Sequence, residues 1–238
     1  VAAPLAAQSS QFGVRGLGLP GRGLSVNSLD GAGSAALFDG RSSRNPAAPG
    51  LMTGTALVFT STQAWRKSEN PGGSGSTNEH RFPHLLIGGP LPGVPLALTL
   101  SYSSYAVRDY TIVRQGFDSP REVDVPVTDS LGSTGGINDM RLAMAWSPAD
   151  RIIVGAGLHL LTGSNRIFSV RAWEDTAYLP VRQSAELAYS GVGISAGVVL
   201  QPTRDLHVAG ALRYDGSLNV QRDSADVGAI DLPWTLSA

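Results

Sequence analysis

Large apolar residues alternate with small or polar residues along much of the chain after Leu51. Between positions 152 and 160 one parity is apolar, whereas Gly155, Gly157 and His159 occupy the other parity. The same alternation occurs in segments 96–103, 139–146, 191–200 and 206–215. Successive side chains of a β-strand point to opposite faces. Each segment therefore predicts a strand with one large apolar face and one face of small or polar residues.

The connections between the predicted strands alternate between short and long. Strands are expected near residues 54–65, 81–88, 96–107, 138–146, 151–162, 188–200, 206–215 and 232–238. The short connections are 89–95, 147–150 and 201–205, and the long ones are 66–80, 108–137, 163–187 and 216–231. In an up-and-down sheet this places short turns at one end and long loops at the other, which is typical of outer-membrane β-barrels. Segment 142–160 also aligns without gaps with 196–214, which indicates a repeated hairpin.

The N-terminal part of the chain differs from the rest. Residues 1–8 resemble the end of a secretory signal peptide, with Leu5-Ala6-Ala7 as a small-residue cleavage site. Residues 9–50 are rich in Gly, Ser, Ala and Pro and show no sustained periodicity. We therefore expect a signal-peptide remnant over 1–8, a plug segment over 9–50 and a β-barrel over 51–238.

Composition excludes several classes of protein. The 238 residues carry a formal net charge of -1, and only 16% of them are charged, so nothing indicates a nucleic-acid partner. The sequence contains no cysteine, which removes thiol catalysis and thiolate metal sites. No apolar run approaches the roughly 18–20 residues of a membrane helix. A soluble β-protein or a membrane barrel remains.

A soluble β-sandwich or a lipocalin-like barrel would also show alternating strands. The small and polar face, however, suits a wet lumen better than a soluble core, and the strands have roughly the 9–11 residues that cross a bilayer. Aromatic residues fall near strand ends, where interfacial girdles lie. They are Trp65, Tyr102, Trp146, Tyr189, Tyr214 and Trp234. The expected fold is all-β, a transmembrane antiparallel up-and-down β-barrel with an N-terminal plug.

Several N-terminal motifs resemble the plug of a known family. They are Gly16-Leu17-Gly18, the small-residue stretch 28–36, Phe38-Asp39, Ser42-Ser43 and Asn45-Pro46-Ala47. Together they resemble the plug of the long-chain fatty-acid transporter (FadL-like) superfamily of outer-membrane barrels. The stretch 231–234 is similar to the start of one of that family's strands. The chain departs from the family pattern at Asp30 and Arg44, which leaves its branch of the superfamily open.

The resemblance implies a barrel of about fourteen strands that passes hydrophobic molecules around an internal plug. A PorV-like branch acts instead in protein secretion and surface attachment. The pattern predicts about eight strands, and a barrel of that size is filled by its own side chains and leaves little room for a plug. The chain is therefore expected to be a fragment with further strands downstream.

Three motifs suggest chemistry but lack the context that the chemistry needs. Residues 16–21 match GxGxxG, yet Pro20 and the neighbouring glycines break the helix that a dinucleotide site requires. Ser195 lies in a GxSxG sequence inside an uninterrupted strand pattern, without the sharp turn of a nucleophile elbow, which favours a lumen-facing serine. His80 and His84 are spaced like helical metal ligands, but a proline separates them, so loop solvation is expected. We expect no catalytic residue, no metal and no cofactor.

The plug and the lumen supply the candidate functional residues. Gly31, Gly33, Asn45 and Pro46 of the plug are candidates for gating. Asn45 is favoured among them, because asparagine before proline can bond local backbone and fix a turn. Candidates for lumen lining are Asp139, Arg141, His159, His207, Arg213 and Asp215.

The expected function is passage of fatty-acid-like or aromatic small molecules across the bacterial outer membrane, without enzymatic chemistry. Membrane lipid and the hydrophobic molecule itself are the expected partners. The alternative is a non-catalytic barrel adaptor that binds the proteins of a secretion or surface-attachment system. A barrel hydrolase is the third and least favoured class.

Overall fold

A computed structural model describes residues 17, 19–20, 35–70, 73–119, 123–175, 177–203, 206–223 and 225–237. The predicted signal-peptide remnant, Gly31, Gly33 and the GxGxxG motif lie outside these residues, apart from Leu17 and the pair Leu19–Pro20. Within the described residues, no helix is long and apolar enough to cross a membrane.

The described residues form mainly strands, with the short 3-10 helix Ala48–Leu51 and a 3-10 turn at residues 35–37. The strands are β1 Leu19–Pro20, β2 Ala56–Asn70, β3 Gly73–Pro90, β4 Leu96–Val107, β5 Tyr110–Asp118, β6 Val125–Ala149, β7 Ile152–Trp173, β8 Val181–Leu200, β9 Val208–Asp215, β10 Ser217–Arg222, β11 Ala225–Asp231 and β12 Thr235–Ser237. The all-β prediction is confirmed.

The strands form one large antiparallel sheet, in which most strands pair with a strand one or two places away in the sequence. The hydrogen-bonded order is β11-β10-β8-β7-β6-β4-β3-β2, with β5 on β6 and β9 on β8. Strands β9 and β10 pair with successive parts of β8, on either side of Gly216. No pairing joins β2 to β11 or β12 among the described residues.

The two faces of the sheet differ as the alternation predicts. Small and polar side chains lie on a buried inner face, whereas large apolar side chains lie on an exposed outer face, which we call the apolar belt. Its members on the middle strands are Leu98, Leu100, Tyr102, Met140, Leu142, Met144, Trp146, Ile152, Val154, Leu158, Leu160, Val192, Ile194, Leu212 and Tyr214. On β7 the belt runs from Ile152 to Leu160, about the length that crosses a bilayer.

The prediction of four long loops is wrong, because most residues of these four connections belong to strands. Strands β6, β7 and β8 pair with one another far beyond the apolar belt, so that Val127 of β6 still lies opposite Trp173 of β7. The predicted loop 108–137 contains β5 and the first half of β6. These extensions lack the strict alternation of large apolar and small residues, so the two-residue pattern fades although the backbone continues as strand.

Residues 35–52, which we call the clamped segment, pack on the inner face near the short turns. Leu37 and Ala47 join Ala145, Ile153 and Val199 of the sheet in a buried apolar cluster. We call the part of the sheet that faces the clamped segment the wall. A second apolar cluster, farther from the short turns, includes Ile137, Leu161, Tyr189 and Leu218. The prediction that Tyr189 belongs to an interfacial aromatic girdle is therefore wrong, because its side chain is buried among apolar neighbours.

Candidate functional site

Six polar residues lie together on the inner face between the two apolar clusters. This polar layer consists of Asp139, Arg141, His159, Ser195, Arg213 and Asp215. The strand register brings them together: Arg141 lies opposite His159 on β6 and β7, and Ser195 lies opposite Arg213 on β8 and β9. Diagonal neighbours on adjacent strands are close enough for polar side chains to meet.

A chain of hydrogen bonds crosses three adjacent strands within the layer. His159 Nδ1 lies 2.9 Å from Asp139 Oδ1 and 3.0 Å from Oδ2, and His159 Nε2 lies 2.9 Å from Ser195 Oγ. A carboxylate only accepts, so the imidazole donates from Nδ1 and its Nε2 is free to accept. The serine hydroxyl then donates to Nε2.

Two glycines leave space for side chains of the polar layer. A Cβ at Gly157 would lie 2.5 Å from Ser195 Oγ. A Cβ at Gly193 would collide with Asp215 Oδ1. Glycine is thus required at these two positions, because the polar side chains beside them fill the volume that a Cβ would take.

Arg213 connects the two carboxylates of the layer. Its Nε donates to Asp215 at 2.7 and 2.8 Å, and its Nη1 donates to Asp139. Its guanidinium also lies over the ring of Tyr105, 5.1 Å from the centroid. With a neutral His159, the charges of the two aspartates and the two arginines cancel, as buried charges require.

Arg141 holds the clamped segment against the wall. Its side chain is 1% exposed, and its Nη1 and Nη2 donate to the carbonyls of Ser43 and Ser42 at 2.7 and 3.3 Å. His84 of β3 adds a contact of 3.0 Å between its Nε2 and the carbonyl of Arg41. Loop solvation was therefore the wrong role for His84, which is buried on the inner face; the side chain of His80 lies outside the described residues.

Asn45 fixes the turn of the clamped segment and ties it to β8. Its Nδ2 donates to the carbonyl of Leu37 at 2.8 Å and to that of Val198 at 3.4 Å. Its Oδ1 accepts from the backbone N–H of Ala47 at 2.9 Å, which is the local backbone bonding expected of this residue type. Pro46, the following residue, is buried against the wall.

The remaining lumen candidate lies apart from the polar layer. His207 is exposed, just before β9, and its ring centroid lies 6.5 Å from that of Phe38. Near Phe38, a half-open cleft of about 340 Å³ lies between the clamped segment and the start of β2. Apolar side chains of Phe38, Leu51 and Met52 line it together with polar Asp39 and Arg41.

Sequence reasoning missed the partnership of Ser195 with His159 and Asp139. The available signal was their common inner-face parity, but the parity shows only which face a residue occupies. Which residues touch depends on the register between strands, and the residue pattern of a single strand does not determine that register.

Comparison with known proteins gives no relative from which to assign a family. No family model matches the chain, no curated protein matches its sequence, and no solved structure matches its fold. Within the described part of the chain, no group of three or more His, Cys, Asp or Glu side chains is arranged to hold a metal ion.

Proposed function

We propose that the chain forms part of a plugged outer-membrane β-barrel through which hydrophobic small molecules pass. The observation that carries this proposal is the inverted distribution of side chains on the sheet. Leu158 on the outer face is 50% exposed, whereas Arg141 on the inner face is 1% exposed. A continuous exposed apolar surface is unfavourable in water and favourable in a lipid bilayer.

The clamped segment supplies the plug of this barrel. Its polar contacts with the wall include hydrogen bonds from Arg141, His84 and Asn45 to backbone carbonyls. Those bonds can break without loss of any strand pairing, because none of the carbonyls on the clamped segment belongs to the sheet. Passage then requires the segment to shift while the wall stays intact.

The neighbourhood of the segment favours a hydrophobic cargo. The cleft beside it is lined by Phe38, Leu51 and Met52, and apolar clusters border the polar layer on both sides. An apolar molecule would gain about 25 cal/mol for each Å² of its surface removed from water along this path.

An Asn45→Ala variant tests the role of the segment. Loss of the amide removes the bonds to Leu37 and Val198 and the turn at Ala47, so the segment should no longer hold the position that passage needs. We expect uptake of radiolabelled oleate by cells that express the protein to fall several-fold. Exposed Asn219 on β10 offers the matched control, and Asn219→Ala should leave uptake unchanged. Equal uptake by the wild type and by a folded Asn45→Ala protein would remove the proposed plug role.

The paired extensions of the strands favour a second candidate, a barrel adaptor for protein secretion. Strand β6 has 25 residues, and Leu131 in its first half is exposed beyond the apolar belt. Such ordered hairpins could dock a protein partner. Co-purification with a secretion apparatus, together with unaltered oleate uptake on deletion of the protein, would support the adaptor over the transporter.

A further inference from the structure

The polar layer contains an arrangement that transport does not use. Ser195, His159 and Asp139 form one continuous hydrogen-bonded chain, with contacts of 2.9 Å on both sides of the imidazole. The carboxylate fixes the tautomer in which Nε2 faces the hydroxyl as an acceptor. This is the relation of orienting acid, base and nucleophile that activates a serine hydroxyl, and it is recognised by geometry and not by sequence order.

We propose that Ser195 is the nucleophile of a site that hydrolyses carboxylic esters, with His159 as general base and Asp139 as the residue that orients it. The proposal goes beyond passage of hydrophobic molecules and does not depend on it. A purely structural role would need only that each polar group be paired. Here two cationic N–H groups beside the serine remain without a hydrogen-bond partner among the described residues: Nε of Arg141 and Nη2 of Arg213.

These two guanidinium groups supply the charge stabilisation that acyl transfer needs. Arg213 lies directly opposite Ser195 in the register of β8 and β9. Gly157 is a neighbour of both Ser195 Oγ and Arg141 Cδ, which lie 2.5 and 3.5 Å from the position of its absent Cβ. The backbone N–H groups of a strand interior are committed to the sheet, so side-chain donors must stabilise the oxyanion in their place.

The reaction balances with water as the only co-reactant. Ser195 Oγ attacks the ester carbonyl carbon while its proton moves to His159 Nε2. Collapse of the tetrahedral intermediate breaks the bond to the alkoxide, which takes the proton from His159 and leaves as the alcohol. Water then attacks the acyl-serine, His159 accepts its proton and returns it to Ser195 Oγ, and the carboxylic acid leaves.

The surroundings of the layer select the substrate class. The layer is electrically neutral as a whole, and the apolar cluster next to it includes Ile137 and Leu161, with Tyr105 packed against it. A neutral ester with a hydrophobic acyl group fits this environment better than an anionic phosphoester. Ser195 and Arg213 are the half-buried members of the layer, so a substrate would approach from their side.

Labelling of the purified protein in detergent micelles with a fluorophosphonate probe tests the assignment. We expect a single adduct on Ser195, located by peptide mass spectrometry, and hydrolysis of p-nitrophenyl butanoate above the rate of the Ser195→Ala variant. Asp139→Asn should slow labelling by about 100-fold or more, because general-base catalysis of this kind contributes factors of that order.

Two matched controls separate catalysis from structural support. Asp129→Asn changes a carboxylate on the same strand and the same parity that has no histidine partner, and it should leave labelling unchanged. Ser133→Ala removes a buried serine whose hydroxyl donates to Asn165 Oδ1 at 2.7 Å, and it should also leave labelling unchanged. An absence of adduct on Ser195 in the folded wild-type protein overturns the assignment, whether or not the variants fold. Equal labelling of the wild type and Asp139→Asn also overturns it.

Discussion

Gly155 and Gly197 determine how closely the clamped segment lies on the inner face. A Cβ at Gly155 would collide with the backbone of Pro46 and Ala47, and a Cβ at Gly197 would collide with the Asn45 side chain. At Gly155 the colliding atoms are backbone and cannot rotate away, and at Gly197 the Asn45 amide is held in place by its hydrogen bonds to Leu37, Val198 and Ala47. At these two positions the absence of a side chain is therefore a condition for docking of the segment.

A Gly155→Ala substitution should displace the segment while the sheet stays folded. Forcing an extra methyl group into a filled site costs about 1–3 kcal/mol, and here the segment can relieve the strain by moving away. We expect faster proteolytic cleavage within residues 35–52, measured by limited proteolysis and mass spectrometry. Gly210→Ala is the control, because the nearest atom to its new Cβ is Ser237 O at an ordinary 3.7 Å. Equal cleavage rates in both variants would contradict the docking role of Gly155.

Single residues differ in how far the sequence could predict their roles. The turn-forming role of Asn45 follows from its own chemistry and from the proline after it, and the structure contains that bonding. The bond from Arg141 to the segment joins positions 98 residues apart. Nothing local in the sequence indicates such a contact, because it depends on where the chain returns in three dimensions.

At the scale of elements, the strands extend well beyond the apolar belt. The 25 residues of β6, at about 3.3 Å each, span roughly 80 Å, of which the belt occupies less than half. Ion pairs take over from apolar packing in the extension: Arg171 of β7 donates to both oxygens of Asp129 on β6, at 2.7 and 2.8 Å. The cross-strand pair helps to hold the exposed hairpin in register.

The hydrogen bonds from Arg171 lower the pKa of the Asp129 carboxyl below its ordinary value. A group with a depressed pKa in the folded state stabilises that state above its unfolded pKa. The contribution is lost as the pH falls through the folded value. We expect an NMR titration of the Asp129 carboxyl carbon to give a midpoint below that of an unpaired aspartate, and Arg171→Gln to raise it. Arg222→Gln, which changes a different exposed ion pair, should leave the midpoint where it is; an unchanged midpoint in Arg171→Gln would contradict the assigned cause.

The strands within the belt were predictable, and their extensions were not. In the belt the two faces meet different environments, so selection for each face produces the two-residue alternation in the sequence. In the extensions, β5 and the first part of β6 have residues of mixed polarity on both faces. Backbone pairing and cross-strand ion pairs keep them in strand conformation, and neither leaves a periodic trace.

At the scale of the whole molecule, the sheet has one buried face and one exposed face that carries the apolar belt. The polar layer and the clamped segment fill one side, and large apolar residues cover the other. The alternation predicted the two faces, and the structure confirms which of them is buried. The polar layer itself required the full register of four strands, which is a property of the assembled sheet.

If the belt faces lipid, as proposed, a charged residue in its middle should oppose insertion. Arginine on the lipid face of a barrel costs about 2–4 kcal/mol at the bilayer midplane and about 0–1 kcal/mol near the interface. We expect Leu158→Arg to lower the free energy of unfolding from lipid vesicles by the amount typical of the bilayer midplane. The measurement is a denaturant titration followed by heat-modifiable gel mobility. Ser164→Arg changes an exposed residue of the same strand and parity beyond the belt, and should have the smaller effect. Equal effects at the two positions would show that the belt does not face lipid.

If the chain forms the proposed barrel, the charge balance of the polar layer has a consequence for conduction. Two guanidinium groups and two carboxylates share the layer, so an ion that reaches this depth meets equal numbers of fixed charges of either sign. A passage lined by such a layer gives neither cations nor anions an electrostatic preference. If the clamped segment opened, the resulting current would therefore reverse near zero voltage in a salt gradient, and loss of any one of the four charges would make the opening ion-selective.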